Sequence, residues 1–320
     1  MSAAAMPFVS VIVPTHRRAA LLARLLRSLL AQQWPADRFE IIVVHNYTDD
    51  GTDRAVAEIA RDAAVPIAYH RTQFSGPGPS RQFGADHAKG SVLAFIDDDC
   101  EATPRWLAEG VAELSRGYGL VQGRTQPHPS QPRRFLEKTV NVPGPTPYFE
   151  TCNIFYDAAA FRAVGGFPAA FRERFYAEDT ALGWTMLRAG YRTGFAEAAV
   201  AYHEVFAVSF RSWLMEPRNM RYWPYLSRAF PELRRKLFLG VFLSPLTATF
   251  DLAVIGLLVA ILHPTGLLLT VPYLALRLFD RSRFRAPHVL LARLLFGLPR
   301  ACVLAATLAA SSIRARRLVI

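Results

Sequence analysis

Short continuous apolar runs alternate with amphipathic ones over the first two thirds of the chain. "FVSVIV" (8–13) is apolar without alternation, the pattern of a strand buried on both faces. "RAALLARLLRSLLAQ" (18–32) places Leu21, Leu22, Leu25, Leu26 and Leu29 at helical spacing. The alternation continues with strand "FEIIVV" (39–44), a helix after Gly51-Thr52, strand "PIAYH" (66–70), a helix near 79–89 and strand "SVLAFI" (91–96). Thr103-Pro104 predicts a further helix start, with Thr as N-cap and Pro at the first helical position. Strands alternating with helices predict an α/β fold, a largely parallel sheet with helices on both faces. Ligands of such sheets sit beyond the carboxyl ends of the strands.

The pattern breaks twice. Residues 124–150 hold Pro127, Pro129, Pro132, Pro143, Pro145 and Pro147, which predicts a long surface loop, either functional or a plain connector. From about 206 aromatics mix with arginines in "FAVSFRSWLMEPRNMRYWPYLSRAF", a composition suited to short helices at a membrane–water interface. "VFLSPLTATFDLAVIGLLVAIL" (241–262) then runs for 22 residues with one acid, enough to span a hydrocarbon core of ~30 Å. "PTGLLLTVPYLALRLF" (264–279) is shorter, and basic residues flank the pair: Arg234, Arg235 and Lys236 before it, Arg281, Arg283 and Arg285 after it. A hairpin over 241–279 leaves both flanks on the cytosolic side. The apolar run at 289–310 carries Arg293 and Arg300 and is expected to be amphipathic or re-entrant. The expected organisation is a catalytic domain over 1–205, interfacial helices over 206–236 and a membrane region over 237–320. A soluble helical subdomain is the plainer alternative for the last part.

Charge supports the membrane reading. The 320 residues carry a net +11, and the segment from Lys236 onward, with ten basic residues against Asp251 and Asp280, accounts for +8 of it. Nucleic-acid binding calls for a basic polar face on the folded domain; here the charge borders apolar runs instead, so no nucleic-acid partner is expected. Three cysteines without metal-ligand spacing predict no disulfide framework and a reducing compartment. "MSAAAMPFVSVIVPTH" lacks a basic n-region, so no signal peptide is expected and the N-terminal part is placed in the cytosol.

The strand at 91–96 ends in Asp97, Asp98 and Asp99. At ~4 Å and an effective dielectric of ~20, each unrelieved pair costs on the order of 4 kcal/mol. Either water screens the group or a cation belongs there, and hard oxygen ligands suit Mg2+ or Mn2+. Glu178 and Asp179 open a helix, where acids favour the positive end of the dipole. His203 follows a strand, and alone it reads as a structural histidine as readily as a ligand.

Taken together and in order, "VSVIVPTHRR", "EIIVVHNYTDDGT", "RQFGADHAKGSVLAFIDDDC", "VGGF" and "AEDTALGWTMLRAGYR" resemble the signatures of family 2 glycosyltransferases of the membrane-associated bacterial kind. The resemblance covers roughly 8–205 and implies the GT-A nucleotide-diphospho-sugar transferase fold. It implies that Asp97 and Asp99 hold a Mn2+ or Mg2+ ion and the donor diphosphate, that Asp98 faces the sugar or ribose, and that His203 is a third metal ligand. It further implies Asp179 as general base, with Glu178 orienting the helix or the acceptor, and Pro14, Thr15, Asn46 and Arg81 as donor-binding residues. Asn46 stands where relatives carry an acid that holds the base, and Gln82 departs from the family's R-N pair. "SGPGPSRQFG" fails G-x-G-x-x-G, and Arg218-Asn219-Met220-Arg221-Tyr222-Trp223 only approximates the Q-x-x-R-W of processive members.

The function implied is inverting, metal-dependent transfer of a sugar from a nucleotide-sugar donor to a hydroxyl of a lipid-linked glycan acceptor, serving a cell-envelope glycan at the cytosolic face of the cell membrane. The rivals are a polyprenyl-phosphate monosaccharide transferase, which needs no general base, and a non-catalytic membrane scaffold on a transferase fold. A transporter fits less well, with at most three spans and one buried acid.

Overall fold

The computed structural model describes residues 6–74, 76–174, 177–278 and 287–320. The chain divides into two compact units, Met1–Ala207 and Val208–Ile320.

In the first unit the strands are β1 (Val9–Thr15), β2 (Phe39–Asn46), β3 (Ile67–Thr72), β4 (Val92–Ile96), β5 (Cys100–Ala102), β6 (Leu120–Pro127), β7 (Glu137–Lys138), β8 (Asn153–Asp157), β9 (Thr193–His203) and β10 (Phe206–Ala207). The helices are α1 (Ala19–Leu30), α2 (Thr52–Arg61), α3 (Pro77–His87), α4 (Trp106–Leu114), α5 (Ala158–Ala163), α6 (Ala169–Arg172) and α7 (Glu178–Arg188). Eight strands form one sheet in the order β3-β2-β1-β4-β8-β6-β9-β5, and β7 pairs antiparallel with β10.

The half made of β3, β2, β1 and β4 is parallel, as the alternating pattern predicts. All seven residues of β1 and all five of β4 are buried, which is why both read as unbroken apolar runs. The other half is mixed: β8 runs antiparallel to β4 and β6, β9 parallel to β6, and β5 antiparallel to β9. The largely parallel sheet expected from the sequence is therefore only half of what forms. α1 buries Leu22, Leu25, Leu26 and Leu29 against this sheet, each contributing roughly 1.5–3 kcal/mol.

Helix starts differ in detail from expectation. Gly76, with φ of +89°, precedes α3, and Pro77 occupies its first turn, so "GPGP" is a helix start. α4 begins at Trp106 rather than at Thr103-Pro104. The Thr103 hydroxyl donates to the Val200 carbonyl at 3.0 Å instead of capping, which ties β5 to β9. Residues 124–150 are mostly irregular, yet β6 runs through Pro127 and β7 lies within the segment.

A buried amide pins the mixed half. β6 shifts register against β9 between Gly123 and Arg124. Asn153 fills that irregularity: its amide donates to the Arg124 and Ala199 carbonyls at 3.0 and 2.9 Å and accepts from the Trp106 indole at 2.8 Å. A Cβ on Gly123 would lie 2.2 Å from the Asn153 amide, so only glycine fits.

The second unit contains α8 (Phe210–Met215), α9 (Trp223–Ala229), α10 (Pro245–Ala260), α11 (Val271–Leu278) and α12 (Pro287–Ala315), joined in part by 3-10 turns. The apolar run 241–262 does not form one spanning helix. Ser244 caps α10, which then runs for 16 residues, about 24 Å at ~1.5 Å per residue. A 3-10 turn (Pro264–Thr270) and α11 follow; the turn packs backbone to backbone on α10, since a Cβ on Gly256 would meet the Gly266 carbonyl at 2.6 Å. Among the described residues, the helix long and apolar enough to cross a membrane, by length and composition, is instead Leu295–Ala315 within α12. The last apolar run, expected to be amphipathic or re-entrant, thus supplies the span-length helix. Arg300 within it is paired with Glu216 and the Trp213 carbonyl and lies 4.7 Å from the Trp213 ring. The expected basic flank at Arg281, Arg283 and Arg285 lies outside the described residues.

Candidate active site

Three chain ends converge beyond β1, β4 and β9. β4 stops at Ile96, so Asp97 and Asp98 leave the sheet at its carboxyl edge, and Asp99 precedes β5. Cys100 pairs in register with His203, and the Glu204 amide donates to the Asp99 carbonyl at 2.8 Å. This pairing brings Asp99 and His203 side by side from residues a hundred positions apart.

Asp99 Oδ1 is buried and has no hydrogen-bond partner, and His203 Nε2 lies 3.4 Å from it. His203 Nδ1 lies 2.8 Å from the Glu204 carbonyl, which can only accept, so Nδ1 carries a proton; in the neutral ring Nε2 then presents its lone pair. Two lone pairs facing each other at this distance require a proton or a cation between them. Cys100 Sγ belongs to the same cluster, within 4.8 Å of the other ligand atoms; burial pushes this thiol up, so it stays protonated and is a poor ligand for a hard ion. A carboxylate and a neutral imidazole fit Mn2+ or Mg2+.

The three aspartates part ways. Asp98 is buried, accepts from the Thr15 hydroxyl at 2.8 Å and pairs with Arg18 at 2.9 Å. Burial outweighs Arg18 and, with the Asp99 charge beside it, pushes the Asp98 carboxyl up to about 6. Arg18 also reaches Asp99 Oδ2 at 2.6 Å, so one guanidinium bridges the two acids. Arg17, with φ of +55°, turns the chain between Thr15 and Arg18, a backbone state unusual for a residue with a side chain. Asp97 faces elsewhere: Arg81 binds its Oδ1 at 2.6 Å and Glu178 Oε1 at 3.1 Å. The structure thus brings Asp99 to His203 and sets Asp97 on Arg81, outside the Asp99–Cys100–His203 cluster.

Arg81 is buried and holds the first acid of the D-D-D run against the first turn of α7. Gln82 has its own partners. It donates to Asp86 at 2.8 Å and accepts from the Phe167 amide at 2.8 Å, bracing the turn where Gly166 adopts φ of +66°.

Asp179 follows Glu178 on α7 and accepts from the Thr180 amide at 2.7 Å. A solvated aspartate titrates at ~3.9. Here burial, with the Glu178 charge next to it, raises Asp179 well above that value, and Arg81 only partly offsets the rise. Glu178 keeps the direct ion pair with Arg81, so Asp179 is the acid of this pair that holds its proton more tightly.

At the remaining donor positions, Pro14 and Thr15 close β1. Asn46 closes β2, and its carbonyl accepts from His16 Nδ1 at 2.8 Å. The Arg71 guanidinium lies 4.7 Å from the neighbouring Tyr47 ring. Sequence reasoning missed Arg18 and Cys100. Arg18 carries no motif of its own beside Arg17, and Cys100 becomes a neighbour of His203 only through strand register.

Comparisons with known proteins bear on the family and the fold. The model of glycosyl transferase family 2 matches residues 10–176. Glycosyltransferase AglE of Haloferax volcanii is 34% identical over 128 residues, 38% of this chain and 40% of that protein. A Campylobacter jejuni GalNAc(5)-diNAcBac-PP-undecaprenol beta-1,3-glucosyltransferase is 31% identical over 119 residues, 37% of this chain and 38% of that protein. The chain therefore aligns with about two fifths of the length of these curated relatives. Among solved structures, mannosyltransferase PcManGT from Pyrobaculum calidifontis, in complex with GDP-Man and Mn2+, superposes with a TM-score of 0.58 at 20% identity, covering 97% of this chain and 87% of that one. That likeness carries the fold alone, a GT-A-like mixed α/β sheet with helices around it. With its family model spanning more than half the chain, this protein belongs to the family 2 glycosyltransferases.

Proposed function

We propose that the chain transfers a sugar from a nucleotide-sugar donor to a hydroxyl of a lipid-linked glycan, with inversion at the anomeric carbon. The observation that carries this is the orphaned Asp99 Oδ1 opposite His203 Nε2, an arrangement that asks for a cation where a diphosphate would sit. Asp99 and His203 would hold the ion; Arg81 engages only Oδ1 of Asp97, which leaves its second oxygen for the same role. A divalent ion there supplies positive charge to a departing nucleoside diphosphate. Thr15 and Arg18 hold Asp98 at the mouth of β1, where it would face the ribose or sugar. Pro14, Thr15 and Asn46 line the strand ends at which a nucleoside would lie.

Asp179 takes the acceptor hydroxyl's proton as the new bond forms, and its raised affinity for protons makes it a stronger base than an ordinary aspartate. Attack from the α7 side and departure on the ion side invert the centre in one displacement. The lipid-linked acceptor is supported by the apolar second unit and by the undecaprenol-linked substrate in the name of the Campylobacter jejuni relative. A cytosolic catalytic unit at the membrane face is in keeping with both.

The test is nucleotide release by the full chain in membranes, with a panel of sugar nucleotides and extracted lipid-linked oligosaccharides. Release is expected with one donor and Mn2+, and is expected to stop with EDTA. Release that persists in EDTA removes the metal, and release unaffected in D179N favours a phosphate acceptor that needs no base.

A further inference from the structure

The second unit contains a cavity of about 360 Å3, a size within the range of small-molecule sites. Most of its wall is apolar, with Leu246, Phe250, Leu304 and Leu308 among the lining residues. Four charged side chains interrupt that wall: Glu216, Asp251, Arg277 and Arg300. Two of them cancel. Arg300 is bonded to Glu216 and to the Trp213 carbonyl, and its guanidinium stacks on the Trp213 ring.

The other two do not. Asp251 is the one acid on α10, and among the described residues it has neither a hydrogen bond nor an ion pair. Arg277 donates to the Tyr273 hydroxyl and the Gly297 carbonyl, both at 3.2 Å, and pairs with no carboxylate among the described residues. A cation and an anion thus line one apolar space without meeting each other. Both are half-buried, and a charge that loses water without gaining a partner costs free energy. The complementary occupant carries a negative group, a positive group and an apolar chain.

We propose that this cavity binds an aminophospholipid, with its phosphate on Arg277, its primary ammonium on Asp251 and an acyl chain along Phe250 and Leu304. An anionic lipid without the amine would leave Asp251 unpaired and repelled, and free phosphate would leave the apolar wall wet. The bilayer is the source of the ligand, because the same unit exposes apolar side chains further along α10 and in the turn after it: Leu258, Ile261 and Leu268 are 61%, 77% and 68% exposed.

The experiment is native mass spectrometry of the full chain in detergent, titrated with phosphatidylethanolamine, phosphatidylglycerol of the same acyl composition, or inorganic phosphate. Phosphatidylethanolamine is expected to be retained at least about tenfold more strongly than phosphatidylglycerol, the worth of one charge-assisted hydrogen bond. D251N is expected to abolish that preference while still binding both lipids, and R277Q to weaken both. Equal retention of the two lipids by the unaltered chain, or a preference unchanged in D251N, overturns the assignment, as does equal competition by inorganic phosphate. Helix content by far-UV circular dichroism of each variant checks that the fold persists. Lipid retention reads the second unit alone, so a negative result there leaves the transferase chemistry of the first unit in place.

Discussion

Asp179 and Arg18 occupy opposite sides of the candidate site, and each has a measurable consequence. A base acts in its ionised form, and Asp179 is raised well above the ordinary carboxylate range. Its acid limb in kcat/KM therefore lies above the value of ~3.9 normal for aspartate, with rate climbing as pH rises through the raised value. D179N is expected to lower kcat by about 10^2–10^4 and to remove that limb, while donor binding stays intact. A pH profile of nucleotide release checks both. Arg18 holds Asp98 and Asp99 in the way a cation would. Because its side chain is 39% exposed, the ion pairs are worth little to stability, yet the guanidinium competes directly with an incoming ion. R18A is expected to tighten Mn2+ binding in the absence of donor by up to about fivefold, measured by titration calorimetry. Unchanged or weaker binding would remove Arg18 as a competitor.

At the scale of elements, the alternating apolar and amphipathic runs already outline β1, α1, β2, α2, β3 and β4. Their signals are local: each strand is buried along its length, and each helix has one apolar stripe. The mixed half of the sheet was not legible in the same way. β5 has three residues, and β6 keeps its place through the Asn153 plug, so neither shows a period. The pairing of Cys100 with His203 depends on register between distant segments, which a linear pattern does not encode. For the same reason the motif could name Asp99 and His203 yet could not tell that Asp97 faces Arg81. The Asn153 plug should be costly to remove: N153L strands the Trp106 indole and two carbonyls in the core. It is expected to destabilise the first unit by about 3 kcal/mol, read as a lowered urea midpoint in tryptophan fluorescence.

For the molecule as a whole, hydropathy located the apolar third of the chain and misassigned its parts. The count of 22 apolar residues ignored the Ser244 cap, which delays α10, and the glycines that fold the next turn back onto it. The bend so formed carries Ile261 and Leu262 at its tip, 77% and 90% exposed. Single charges within a bilayer cost about 2.5–3.5 kcal/mol on insertion scales. L262D combined with L268D is therefore expected to lower the fraction of the full chain that co-floats with vesicles, without loss of Mn2+ binding. Co-flotation equal to that of the unaltered chain would exclude the tip from the membrane.

The fork at Arg81 sets one further limit. A single planar group clasps Asp97 and the first turn of α7, so on the proposed reading the span between leaving group and proton acceptor would be gauged by a rigid guanidinium rather than by a loop. Lysine offers charge but no second prong. R81K is expected to keep the fold and the donor while slowing turnover, as an instrument keeps its strings but loses its tuning.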